Sequence, residues 1–195
     1  MKIVVAAVPG AGKTTVLKFV KKKMSEVKIV NVGDLIFEIA KKKFDIKDRD
    51  EMRKKLTIEQ ERLLQEMVAK KISKMKDKII LIDTHMCIKT PSGYFPGISD
   101  KVASIIKPDI VIILDFNPKD VIERRKRDPK RERDIETEEI IEEHQNFTKQ
   151  FATNTAAKVE AAVEVINLRY KQSKPFEHVV KASDEITKII KRNIK

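Results

Sequence analysis

Tryptophan is absent, cysteine occurs once and aromatic residues make up 5% of this 195-residue chain. Each shortage closes a class of explanation. A lone Cys87 cannot build an internal disulfide framework and fits a reducing cytosol. So few aromatics give no evident stacking platform for single-stranded nucleic acid. No apolar run approaches the ~20 residues of a membrane span. Runs such as Ile110 to Leu114 are of strand length, and the chain passes from Met1-Lys2 straight into one, so neither a membrane span nor a signal peptide is expected. The histidines (His85, His144, His178) lie far apart and show no metal-ligand spacing, and the last two read as packing or surface residues.

What is present is an apolar fraction of 41%, enough over this length for one α/β domain with a full core. Charged residues make up 37% and leave a net charge of +12. A solvated, lysine-rich surface with ion-pair networks accounts for that, as does a partner rich in phosphate. The charge is spread along the chain rather than held in one block, which weighs against a nucleic-acid partner.

The most informative segment is Val8-Pro9-Gly10-Ala11-Gly12-Lys13-Thr14-Thr15, preceded by the apolar stretch Ile3–Val8 and followed by an amphipathic pattern (Val16, Leu17, Val20, Met24, Val27). This reads as strand, phosphate-binding loop, helix. Glycines let backbone N–H groups converge on phosphate oxygens, Lys13 adds charge for the β- and γ-phosphates, and the Thr14 hydroxyl suits Mg²⁺. The pattern departs from G-x-x-x-x-G-K-[ST] at its first position, where Ala7 stands, a change compatible with the loop if φ there is negative.

Strand patterns recur at Ile3–Val8, Lys28–Val32, Lys78–Asp83, Asp109–Asp115 and Phe176–Lys181, with helical patterns between them. That alternation predicts a parallel sheet with crossover helices, and ligands in such sheets sit beyond the carboxyl ends of the strands. Asp34 is placed to cap one helix, Asp48 a short second one, and Thr57 with Gln60 forms a capping box for a third. Thr90 to Gly97 reads as a loop from its Pro and Gly content. A long helix is expected from about Thr137 to near Tyr170, with Ile140, Phe147, Phe151 and Val159 inward, and a closing helix from Ser183. There is no internal repeat and no low-complexity linker.

Two further features bear on chemistry. Asp83 ends a strand beside the phosphate loop, where a carboxylate holds Mg²⁺ through water or simply caps a turn. Seven of the ten residues from Arg124 to Arg133 are basic, on the ligand edge of the sheet and interrupted by Pro129. A solvated face is one reading; the other is a short arginine lid that clamps a transferring phosphoryl group and excludes water.

With these segments in view, the chain resembles the archaeal-type adenylate kinases. The likeness rests on Val8 to Thr15, Gly33-Asp34, Arg49 to Lys54, Asp83-Thr84-His85, Thr90 to Gly97 and Arg124 to Asp134, over about the first 155 residues. It implies a three-layer P-loop kinase fold over 1–195: a five-stranded parallel sheet with helices on both faces, an insert for the monophosphate at about 33–75, and a short zinc-free lid at about 125–137. It also implies the Mg²⁺-dependent reaction ATP + AMP ⇌ 2 ADP and commonly a trimer; a cytoplasmic location is expected from the cysteine content above. By position, Val8 to Thr15 would bind ATP, and Thr14 with Asp83 would hold Mg²⁺, the latter through water. Lys13, Arg124, Arg127, Arg131 and Arg133 would act on the transferring group. Gly33, Asp34, Arg53, Lys89, Thr90, Gly93, Tyr94 and Gly97 would face AMP. Bacterial relatives carry an arginine a few residues after the Gly-Asp pair, a zone held here by Phe37, which leaves Arg53 or Lys89 for the AMP phosphate. The adenine loop is expected at Ala182-Ser183-Asp184. Two alternatives stay open: a kinase for another nucleoside monophosphate, and an RNA- or ribosome-associated ATP-binding factor.

Overall fold

The computed structural model describes residues 1–48, 51–52, 55–90, 92–127 and 136–194. In chain order the elements are β1 (Lys2–Ala6), α1 (Lys13–Lys23), β2 (Lys28–Asn31), α2 (Val32–Phe44), α3 (Ile58–Ser73), β3 (Ile80–Thr84), β4 (Cys87–Thr90), β5 (Gly93–Pro96), α4 (Asp100–Ile106), β6 (Ile110–Phe116), α5 (Pro118–Lys126), α6 (Glu138–Val159), β7 (Ala162–Leu168) and α7 (Glu177–Asn193). Five strands form one parallel sheet in the order β2-β3-β1-β6-β7, and β4 and β5 form a separate antiparallel hairpin.

The register levels the carboxyl ends that matter. Val5 lies opposite Asp83 and Ala6 opposite Thr84, while Asn31 on the other side also faces Asp83. The loops leaving β1, β2 and β3 therefore open at one height. Both faces of the sheet are covered, as continuous apolar strands require. One core packs Val16, Leu17 and Val20 of α1 with Ile186, Ile189 and Ile190 of α7 on the sheet. The other packs Val68 and Ile72 of α3, Val102 and Ile106 of α4, and Ala152 and Ala156 of α6.

The three-layer parallel sheet is the expected one, but its last strand is not where the sequence pattern put it. Residues 176–181 open α7 instead, and the fifth strand is β7, paired with β6 over its whole length from Ala162 to Leu168. The reason is that β7 buries few of its side chains: only Ile166 and Leu168 are buried, and its sequence carries Glu164 and Asn167 and reads as polar. The long helix accordingly stops at Val159, closed by Glu160 in the left-handed region (φ 58°). Within the segment expected as a plain loop, Gly93–Pro96 is instead a strand, β5, paired with β4. Asn31, not Asp34, caps α2, its Oδ1 accepting the Asp34 N–H at 2.9 Å. The Thr57–Gln60 capping box forms as expected. Residues 128–135, the larger part of the expected lid, lie outside the described residues, as does Arg53.

Candidate active site

A cavity of about 1020 Å³ opens beyond the carboxyl ends of the strands, between the loop after β1, the start of α2, the end of β5, α5 and the segment joining β7 to α7. Its floor is the turn from Val8 to Lys13. Positive φ falls on Gly10 (84°) and Gly12 (93°), so the two glycines take the backbone conformations that cost a side chain most. Ala7 is not among the positive-φ residues, which makes the missing first glycine harmless. Gly12 caps α1 in the left-handed region, and Thr15 and Val16 donate their N–H groups to its carbonyl at 3.0 and 3.3 Å. The N-terminal end of α1, its positive dipole end, thus faces the cavity.

Lys13 is only 7% exposed and Asp83 only 4%. The Lys13 ammonium donates to Asp83 Oδ1 and to the Thr84 carbonyl. Burial pulls Lys13 below its ordinary pKa, and the facing Asp83 carboxylate opposes that pull. Asp83 Oδ2 accepts from Asn31 Nδ2 at 2.9 Å and from the Thr14 hydroxyl at 3.4 Å. Asn31 escaped the sequence reading, although a polar residue ending the second strand on the ligand edge was a signal for it.

Thr14 and Asp83 offer a hydroxyl and a carboxylate, the hard oxygen donors that Mg²⁺ takes. Among the described residues no group of three or more acidic, histidine or cysteine side chains could hold a metal ion by itself.

His85 lines the cavity, half-buried, with Nδ1 2.8 Å from the Ala7 carbonyl. A carbonyl only accepts, so Nδ1 carries the proton and Nε2 the lone pair. Burial first, then the Lys13 charge, pushes the ring down to about 3, so it is neutral.

Two arginines of α5 brace the loop. Arg124 Nη1 donates to the Ala11 carbonyl at 2.8 Å, and Arg125 Nε to the Pro9 carbonyl at 2.9 Å. Arg125 also pairs with Glu136, which holds Lys89 at 3.0 Å. Arg125 was not among the residues nominated from sequence. Arg127 borders the cavity and pairs weakly with Glu123 at 3.4 Å. Arg131 and Arg133 lie outside the described residues.

On the opposite wall, Gly33 and Gly97 line the cavity. Gly97 is required sterically: a Cβ there would stand 2.0 Å from the His85 carbonyl oxygen. Asp34 sits in the first turn of α2. Lys89, Thr90, Gly93 and Tyr94 lie on the β4–β5 hairpin and are not part of the cavity lining. The Thr90 hydroxyl donates to the Gly93 carbonyl at 2.9 Å, and Tyr94 donates to Glu143 at 3.0 Å while stacking on Phe147. The expected adenine loop is not a loop. Ala182, Ser183 and Asp184 sit inside α7, where Lys23 binds Ser183 and Asp184, both at 2.7 Å. The segment that reaches the cavity comes earlier, through Gln172, Pro175, Phe176 and Val179. Phe176 is a non-glycine residue at φ 63°, 59% exposed and stacked on Phe19.

The model of the family described as "AAA domain" matches residues 6–142. The adenylate kinase of Pyrobaculum aerophilum is 49% identical over 193 residues, covering 98% of each chain. That of Thermoplasma acidophilum is 40% identical over 190 residues (97% of this chain, 98% of the relative), and that of Pyrococcus horikoshii 39% over 195 residues (99% and 96%). Among solved structures, a shikimate kinase from Acinetobacter baumannii in complex with shikimate superposes with a TM-score of 0.64 at 15% identity, covering 100% of this chain and 95% of that one. The shikimate kinase of Bacteroides thetaiotaomicron gives 0.61 at 17% identity, covering 98% of each. At that identity the structural likeness speaks to the fold alone.

Proposed function

The chain belongs to the adenylate kinase family and is a phosphoryl-transfer enzyme, and from that premise we propose how its residues carry out ATP + AMP ⇌ 2 ADP. The observation that carries the reading is the cluster of Lys13, Thr14, Asn31 and Asp83 under a glycine-flanked turn. Its cavity of about 1020 Å³ lies at the upper limit of the roughly 300–1,000 Å³ that one drug-sized ligand needs, and suits two mononucleotides.

The donor phosphates lie along the turn of residues 8 to 15, where Gly10, Gly12, Lys13 and Thr14 carry N–H groups and Pro9 carries none. Lys13 exchanges Asp83 and the Thr84 carbonyl for the β- and γ-phosphates, which restores the charge partner that its burial demands. Thr14 and Asp83 would hold Mg²⁺, Asp83 through water, and the ion would neutralise charge on the donor phosphates. Asn31 fixes the Asp83 carboxylate for that task. The donor base sits against Pro175 and Phe176, whose exposed ring is held in place by its backbone turn and by Phe19. Arg124 and Arg127 approach the phosphates from α5, with Arg131 and Arg133 as lid candidates from their sequence position.

AMP enters from the side of Gly33, Asp34 and Gly97. Its phosphate competes with Glu136 for Lys89, and Arg53, Thr90, Gly93 and Tyr94 belong to the same side by sequence position. The protein supplies no nucleophile, because an AMP phosphate oxygen attacks the γ-phosphorus directly. Positioning and electrostatics supply the rate. We further propose a cytoplasmic homo-oligomer, trimeric by family resemblance. No helix among the described residues is long and apolar enough to cross a membrane.

Coupled assays with AMP, CMP, GMP and UMP at equal concentration test the acceptor assignment. Turnover with AMP should exceed the others by at least about tenfold; equal rates would remove AMP as the acceptor.

A further inference from the structure

His178 lies in the first turn of α7, is fully buried and belongs to no step described above. Its two ring nitrogens have partners of fixed character. Nε2 stands 2.8 Å from the Tyr170 carbonyl, which only accepts. Nδ1 stands 3.0 Å from Arg124 Nη2, which only donates. One tautomer satisfies both: the proton on Nε2 and the lone pair on Nδ1. A second observation agrees. Asp120 Oδ2 is buried 3.6 Å from Nδ1 and has no hydrogen-bond partner, as expected when Nδ1 has no proton to give it. Burial is the largest influence and holds the imidazole below its ordinary value; Arg124 adds to it, while the Tyr170 carbonyl, Asp120 and Glu177 oppose it. Arg124 itself lies 4.5 Å over the Phe116 ring and donates to the Ala11 carbonyl. Three contacts from three elements thus fix one guanidinium beside the phosphate loop, and only His178 comes from the segment beyond β7.

We propose that His178 is a positioning residue for the donor nucleotide, its Nδ1 lone pair holding Arg124 in the orientation that receives ATP. The inference rests on Arg124 facing the donor, as proposed above. It joins the base-side segment, through the Tyr170 carbonyl, to the phosphate side, through Arg124, with a single neutral ring.

Two substitutions in the full-length protein separate the two nitrogens. His178→Gln keeps a donor near the Tyr170 carbonyl and loses the acceptor for Arg124. His178→Asn keeps an acceptor near the Nδ1 position and loses the donor. Steady-state kinetics should show KM for ATP raised about tenfold in His178→Gln, with kcat and KM for AMP within about twofold. His178→Asn should keep KM for ATP within about twofold. In an Arg124→Gln background, already raised in KM for ATP, His178→Gln should add nothing. Equal effects of Gln and Asn, or a full effect of His178→Gln without Arg124, would overturn the proposal. An Arg124→Gln protein with unchanged KM for ATP would overturn both this inference and the donor assignment beneath it. If His178→Gln does not fold, His178→Asn decides: weakened ATP binding there contradicts the proposal, and retained binding supports it.

Discussion

Lys13 shows how one residue can be both structural and catalytic. The sequence suggests a side chain facing ligand, and the structure finds it buried, its ammonium shared between Asp83 and a carbonyl. Removing one partner of a buried pair strands the other. Lys13→Ala should therefore lower kcat by about a thousandfold and also cost stability, about 3 kcal/mol, because Asn31 and Thr14 are neutral and only partly satisfy Asp83. Turnover and thermal denaturation read the two effects separately. His85 makes a pH prediction. Its folded value of about 3 lies below the ordinary 6.5, so between those values the unfolded chain binds a proton that the folded chain does not. Stability should fall as pH drops from about 6.5 toward 3, and His85→Gln should flatten that slope in denaturant titrations against pH. The phosphate loop and Thr14 were legible in the sequence from the spacing of their motif, and the position of Asp83 from the end of an apolar strand, with a turn-capping role left open. Asn31, Arg125 and His178 were not, because their roles depend on what strand register and helix packing bring within hydrogen-bond reach.

Among elements, the buried strands β1, β3 and β6 were readable as apolar runs, and so was edge strand β2, whereas β7, with only Ile166 and Leu168 buried, was not. Helix α6 shows the reverse confusion. Of its apolar residues expected inward, Phe151 and Val159 pack half-buried against the sheet core and Ile140 and Phe147 are half-buried, while the fully buried stripe runs through Ile141, His144, Gln145, Thr148, Ala152, Thr155 and Ala156. Polar side chains occupy that stripe because they have specific work. Gln145 accepts the Phe116 N–H at 3.0 Å and donates to the Phe116 carbonyl at 2.9 Å, closing the end of β6. His144 reaches the Cys87 carbonyl at 3.2 Å and Thr148 bonds back to the His144 carbonyl at 2.8 Å. A periodicity argument cannot see a buried amide whose partners are backbone groups of another element. Gln145→Leu should leave two buried backbone groups unpaired and destabilise the protein by about 2–4 kcal/mol, measured as a lower denaturant midpoint.

For the whole molecule, the sheet order and the register decide the function more than composition does. The net charge of +12 suited several partners. What narrows them is a cavity at the strand ends, with a phosphate loop on one wall and Gly33 and Gly97 on the other. Adenylate kinase chemistry there needs two nucleotides at once, aligned phosphate to phosphate. Titration calorimetry with diadenosine pentaphosphate tests this most directly. One molecule should bind per chain, at least about a hundredfold tighter than ATP, since joining two ligands makes the second contact intramolecular, and AMP should no longer bind. An affinity no better than that of ATP, or AMP still binding to the saturated protein, would contradict the account.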